Sequence, residues 1–206
     1  MSKAVLISIR PKWCEKIVNG EKTAEVRKTR PKMKTPFRVY IYCTRDKHLA
    51  LIQNRAGANL IACMDAETAI PVGGFAGNGK VIGEFVCDRT DRLARVGFDG
   101  SGEPAKYCIC NSDMSVWPVD GICEEACLTQ EELEKYLGGY EGYGLHISGL
   151  KVYDEPKGLD AFRRACAHDW YCDSCAMHGE NNGTCSNGSL RIKRPPQSWC
   201  YVQEVE

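Results

Sequence analysis

The sequence predicts an α+β fold: a small mixed β-barrel with short flanking helices and a cysteine-rich C-terminal insertion. Three observations predict it. Many short segments alternate apolar and polar residues or are rich in β-branched and aromatic side chains, as strands are. Only a few stretches carry helical spacing, and these end on caps. Their order is strand, helix, two strands, an insertion, more strands, a helix, a strand and a tail, which fits a small mixed barrel.

Residues 4–9 are Val- and Ile-rich and read as a strand. Residues 12–18 place Trp13, Ile17 and Val18 near helical spacing, and Gly20 follows as a cap. Residues 23–29 alternate: Ala24 and Val26 belong to one face, and Thr23, Glu25 and Arg27 to the other. FRVYIYC (37–43) is the strongest strand. Residues 46–78 read as an insertion, with loops at 54–60 and 71–79 and a helical or irregular stretch between them. Strands follow at 80–86 and 89–96, and 99–120 is turn-rich. Residues 128–137 form a helix: Thr129 and Glu132 make a capping box, and Gly138 and Gly139 end it. A strand over 143–153, a short helix over 159–167 and a closing strand over 198–204 complete the chain.

The 206 residues, 43% apolar and 26% charged, suit one domain with a real core or one domain plus an appendage. Basic and acidic residues balance at 27 each, so any nucleic-acid contact must come from a local patch. No stretch is apolar enough for a bilayer, and residues 1–9 lack the features of a signal peptide, so no membrane and a cytoplasmic setting are expected. Thirteen cysteines is a high, odd count. Cys14, Cys43, Cys63 and Cys87 sit inside apolar runs and read as small buried hydrophobes.

VLISIRPKWCEKIVNGEKTAEVRKTRP (5–31) resembles the opening of the ASCH family in the PUA-like superfamily, bacterial or phage type, whose Gly-x-Lys-Thr-x-Glu-x-Arg pattern matches Gly20, Lys22, Thr23, Glu25 and Arg27. GKVIGEFVCD (79–88), YGLHISGLKVYDEPKGL (143–159) and PPQSWCYV (195–202) resemble its central, late and closing segments. The resemblance implies a PUA-like barrel over 1–160, with the insertion at about 46–78, and a closing strand over 195–206; between them the residues themselves mark a cysteine-rich segment over 161–194. It also implies a groove that binds RNA or a modified nucleotide. One branch of the family is an amidohydrolase of N(4)-acetylcytidine and related nucleosides, and some members are described as ribonucleases. Lys22 matches that branch's lysine, but Glu25 stands where its threonine nucleophile belongs, and a carboxylate does not replace a hydroxyl in that role. Glu124 or Glu125 would supply the distal carboxylate.

The residues support a binding site independently of the resemblance. Glu25 and Arg27 share a strand face and can read a planar polar ligand, Arg27 at a phosphate or base edge and Glu25 at an amino group. The alternative is the solvated face of a strand. Arg27 to Lys34 packs five basic residues into eight. The nucleic-acid-binding set is Arg10, Lys12, Lys22, Glu25, Arg27, Lys28 and Arg30, with Trp13 and Tyr40 as stacking candidates. If the protein is an enzyme, it is a hydrolase in which Lys22 and Glu25 act as acid and base. The third reading is a protein-interaction adaptor working through the cysteine-rich tail.

In that tail, Cys172 and Cys175 form a Cys-x-x-Cys, the spacing that grips a tetrahedral zinc from a tight turn. Cys185 is the best third ligand. Cys200 or Cys166 is the fourth, with His168 and His178 in reserve. A structural zinc would order a Gly- and Asn-rich segment; the alternative is a loop of unligated thiols. Cys108, Cys110, Cys123 and Cys127 are too loosely spaced to expect a metal.

Overall fold

The computed structural model describes residues 3–54, 60–97, 104–110, 119–166 and 187–205. The chain divides into two compact units: Met1–Cys14, Phe37–Glu84 and Lys151–Glu206 make the first, and Glu15–Pro36 with Phe85–Leu150 the second. The class is α+β: short strands dominate and the helices are few.

The first unit is built on a five-stranded mixed sheet. In it β1 (Lys3–Ile9) lies between β3 (Phe37–Cys43), to which it is parallel, and β12 (Trp199–Gln203), to which it is antiparallel. β7 (Lys80–Cys87) and β11 (Ser148–Lys157) extend it beyond β3, giving the order β11-β7-β3-β1-β12. β1 and β3 are buried nearly throughout, which is why both read as apolar runs. Ala4, Leu6, Tyr40, Val81, Phe162 and Val202 form a core cluster, with the Tyr40 and Phe162 rings edge-to-face at 4.9 Å. Gly83 is dictated by close approach: a Cβ there would lie 2.5 Å from the Lys151 carbonyl oxygen.

Residues 46–78 differ from the expected loops and helical stretch. β4 (Leu49–Asn54), β5 (Leu60–Asp65) and β6 (Gly74–Ala76) make a separate antiparallel sheet in the order β5-β4-β6. Asn78 ties it down, accepting from the Leu51 N–H at 2.6 Å and donating to the Leu49 carbonyl at 2.8 Å. The helix expected over 159–167 is a single 3-10 turn, Leu159–Ala161. After it, Arg163 and Arg164 run extended, pairing with Arg191 and Val202, because Phe162 is drawn into the core.

The second unit holds an antiparallel sheet ordered β2-β10-β8-β9, from β2 (Ala24–Arg27), β10 (Gly142–His146), β8 (Thr90–Val96) and β9 (Lys106–Ile109). Two helices, α2 (Ile122–Ala126) and α3 (Gln130–Leu137), pack on one face through Ile122, Ala126, Leu133 and Leu137 against Ala24, Val26, Leu93 and Tyr107. α2 was not expected from the sequence; α3 has its capping box in place. The strand expected over 143–153 is two strands. β10 and β11 break at Ile147, whose N–H donates to the Thr23 carbonyl at 2.8 Å instead of continuing a ladder. Among the described residues, no helix is long and apolar enough to cross a membrane.

Candidate functional site

The site begins where α1 (Pro11–Val18) stops. Gly20 takes φ 75°, and its N–H reaches the Ile17 carbonyl while the Glu21 N–H reaches that of Lys16. This paired closure is the Schellman motif that glycine favours. The Lys22 N–H also bonds to the Lys16 carbonyl, and the Thr23 N–H to that of Glu125 at 2.8 Å. The Cys127 thiol donates to the Glu21 carbonyl at 3.2 Å. The helix end, α2 with its cap Cys127, and Ile147 therefore fix the backbone of residues 20–23 before β2 starts.

β2 pairs with β10 so that Glu25 lies opposite Leu145 and Arg27 opposite Tyr143. Ala24 and Val26 face the helices, as the alternation requires. The other face is not solvated at Glu25. The Lys22, Glu25 and Arg27 side chains are only 2%, 7% and 11% exposed. Glu25 grips one cation with each oxygen: Lys22 Nζ lies 3.4 Å from Oε2 and Arg27 Nη2 3.0 Å from Oε1. Lys22 Nζ also donates to the Ala126 carbonyl at 2.7 Å, at the C-terminal end of α2, where helix carbonyls need donors. The array carries one net positive charge. Lys22 is thus engaged on two sides rather than projecting loose into a cleft.

Past Arg27 the chain surfaces. Lys28 and Arg30 are exposed, with Lys28 Nζ 5.6 Å from the Tyr136 ring centroid and the Arg30 guanidinium 5.6 Å from that of Tyr143. Among the described residues neither has a carboxylate partner. At the other end of β2, Arg89 donates to Asp91 at 2.7 Å and Glu125 at 3.3 Å, and His146 Nδ1 lies 2.6 Å from Asp88 Oδ1. That contact holds the Asp88 carboxyl below the usual carboxylate range. Glu124 is exposed.

The structure brings Lys22, Glu25 and Arg27 together and sets Lys28 and Arg30 on their exit. Arg10 and Lys12 belong to the first unit: the Arg10 carbonyl accepts the first N–H bonds of α1, and Lys12 Nζ sits 4.6 Å from the Trp13 ring. Tyr40 is core, its hydroxyl bonded to the Val205 backbone, so it offers no stacking face. Cys172, Cys175 and Cys185 lie outside the described residues. Cys200 is on β12, packed beside the first unit's core, and burial pushes its thiol pKa up. Tyr136, Tyr140 and Tyr143 were missed in the sequence; their close spacing around Gly138, Gly139 and Gly142 was the available signal.

No family model matches the sequence, and no curated protein matches it. Solved structures do match in fold. The crystal structure of ASCH from Zymomonas mobilis aligns over 98% of this chain and 88% of its own, with 17% identity and a TM-score of 0.50. A tyrosine-to-phenylalanine mutant of that same protein covers 98% and 92% at 18% identity, also with a TM-score of 0.50. The fold is the ASCH fold. Within it, the Gly20–Arg27 turn and strand occupy the second unit and carry the buried Lys22–Glu25–Arg27 array.

Proposed function

We propose that this ASCH-fold protein binds nucleic acid, RNA or a modified nucleotide, at the surface where β2 leaves the buried array. The observation that carries this reading is the pair Lys28 and Arg30: two exposed cations held against aromatic rings, with no carboxylate among the described residues to neutralise them, following directly on an array of net positive charge. Exposed, unneutralised cations suit phosphate contacts, which position a nucleic acid without reading its sequence. Arg27, the most exposed of the three, is the member of the array that would meet a base or phosphate.

Hydrolysis by Lys22 and Glu25 is the weaker reading, because both groups are nearly buried and already hold each other. Fluorescence anisotropy with single-stranded RNA, duplex RNA, transfer RNA and DNA tests the proposal. Binding should weaken as salt rises and weaken further in the Lys28→Ala/Arg30→Ala double variant. Salt-independent signals, or none, would overturn it. Turnover of acylated cytidine or RNA that is lost in Lys22→Ala would favour the hydrolase instead. For the tail, we propose a structural zinc on Cys172, Cys175, Cys185 and Cys200; protein purified without chelator should then hold about one equivalent.

A further inference from the structure

We infer that Tyr140 is a stacking platform for an unpaired base, so that the nucleic acid bound beside Lys28 and Arg30 is single-stranded. This rests on the nucleic-acid reading above and adds the class of strand. Tyr140 sits in the turn between α3 and β10, in sequence between the two residues whose rings carry cations: Tyr136 four residues before it and Tyr143 three after. The residue is 78% exposed, although a ring of this size gains from cover.

The backbone beneath that ring is held firmly. Gly138 and Gly139 take φ values of 70° and 81°, which end α3 and turn the chain sharply. The buried Tyr107 hydroxyl donates to the Tyr140 carbonyl at 3.0 Å. An exposed aromatic on an anchored turn loses little freedom when a flat ligand covers it. Two acids beside this turn are already paired: Arg92 grips Glu141 with two nitrogens and Arg95 lies 3.3 Å from Glu134. An exposed ring on a turn whose two ends each hold an available cation suits a single strand: bases stack while phosphates meet Lys and Arg. A base paired within a duplex keeps its faces on its neighbours and cannot use such a platform.

The test measures affinities of the full chain for single-stranded RNA, single-stranded DNA and duplex RNA at fixed salt. The proteins are wild type, Tyr140→Ala, Tyr140→Phe and Lys28→Ala/Arg30→Ala. Tyr140→Ala should weaken single-strand binding by about 5- to 150-fold. It should leave duplex binding and the salt slope unchanged, while Tyr140→Phe binds as wild type. The two single-strand arms decide between RNA and DNA. If single strands bind and the Lys28→Ala/Arg30→Ala variant weakens them while Tyr140→Ala does not, the platform is refuted and the nucleic-acid reading survives. Equal affinity for duplex and single strand also refutes the platform. If the wild type binds no nucleic acid, both fall.

Discussion

Glu25 is the residue on which the site turns. It is nearly buried, and it balances Lys22 on one oxygen and Arg27 on the other. Removing one member of a buried ionic group strands the remainder in a low-dielectric setting, which costs more than the group contributes when whole. Glu25→Ala should therefore destabilise the protein by about 3–5 kcal/mol, read from the urea midpoint at constant m-value. A change within about 0.5 kcal/mol, as for an ordinary surface position, would mean the carboxylate is solvated after all. Cys87 gives a second residue-scale prediction. Burial pushes its thiol from the usual 9.0 up to about 11, so it stays protonated and unreactive at neutral pH. Alkylation followed by mass spectrometry at pH 8 should label Cys87 far more slowly than a free thiol. The sign for stability follows from linkage: the unfolded chain ionises first, so this thiol's contribution falls as pH rises between about 9 and about 11.

Among the elements, α3 was the most legible, because its capping box is a local pattern that needs no tertiary partner. Thr129 Oγ accepts from the Glu132 N–H at 3.1 Å, and the Glu132 carboxylate accepts from the Thr129 N–H at 2.9 Å. Thr129→Ala should cost about 1 kcal/mol in chemical unfolding. The β7–β11 pairing depends on close approach instead. Gly83→Ala would drive a Cβ against the Lys151 backbone oxygen and should lower stability more than Thr129→Ala does, a comparison the same urea titrations make. β10 and β11 show where local pattern misleads. Both alternate in period two, so 143–153 reads as one strand; the bond from the Ile147 N–H to Thr23 is what divides them between two sheets. β4 and β5 were missed because Leu49–Asn54 and Leu60–Asp65 are rich in Leu and Ala, which suit a helix as readily as a strand.

On the scale of the whole molecule, charge is balanced, so attraction to a polyanion is local and its salt dependence modest. If Lys28 and Arg30 each neutralise one phosphate, log K against log salt should fall with a slope of about −1.4 on single strands. A slope several times steeper would implicate basic residues far from β2. The order of most strands and the helix running to Gly20 were written in the sequence, because glycine caps, capping boxes and alternating runs act over a few residues; the ASCH-type fold was legible through the resemblance of several short motifs in a fixed order. The sequence also marked Glu25 and Arg27 as neighbours, since a strand brings i and i+2 onto one face, whereas Lys22, which precedes β2, joins them through the turn after Gly20. It did not settle whether that face met water. Tertiary structure decided it: residues remote in the chain, Ala126 and Leu145 among them, close around β2 and turn an alternating strand into a buried ion array. The same kind of distant contact buried Tyr40 and left Tyr140 in solvent, because burial is set by what the rest of the chain packs against a residue.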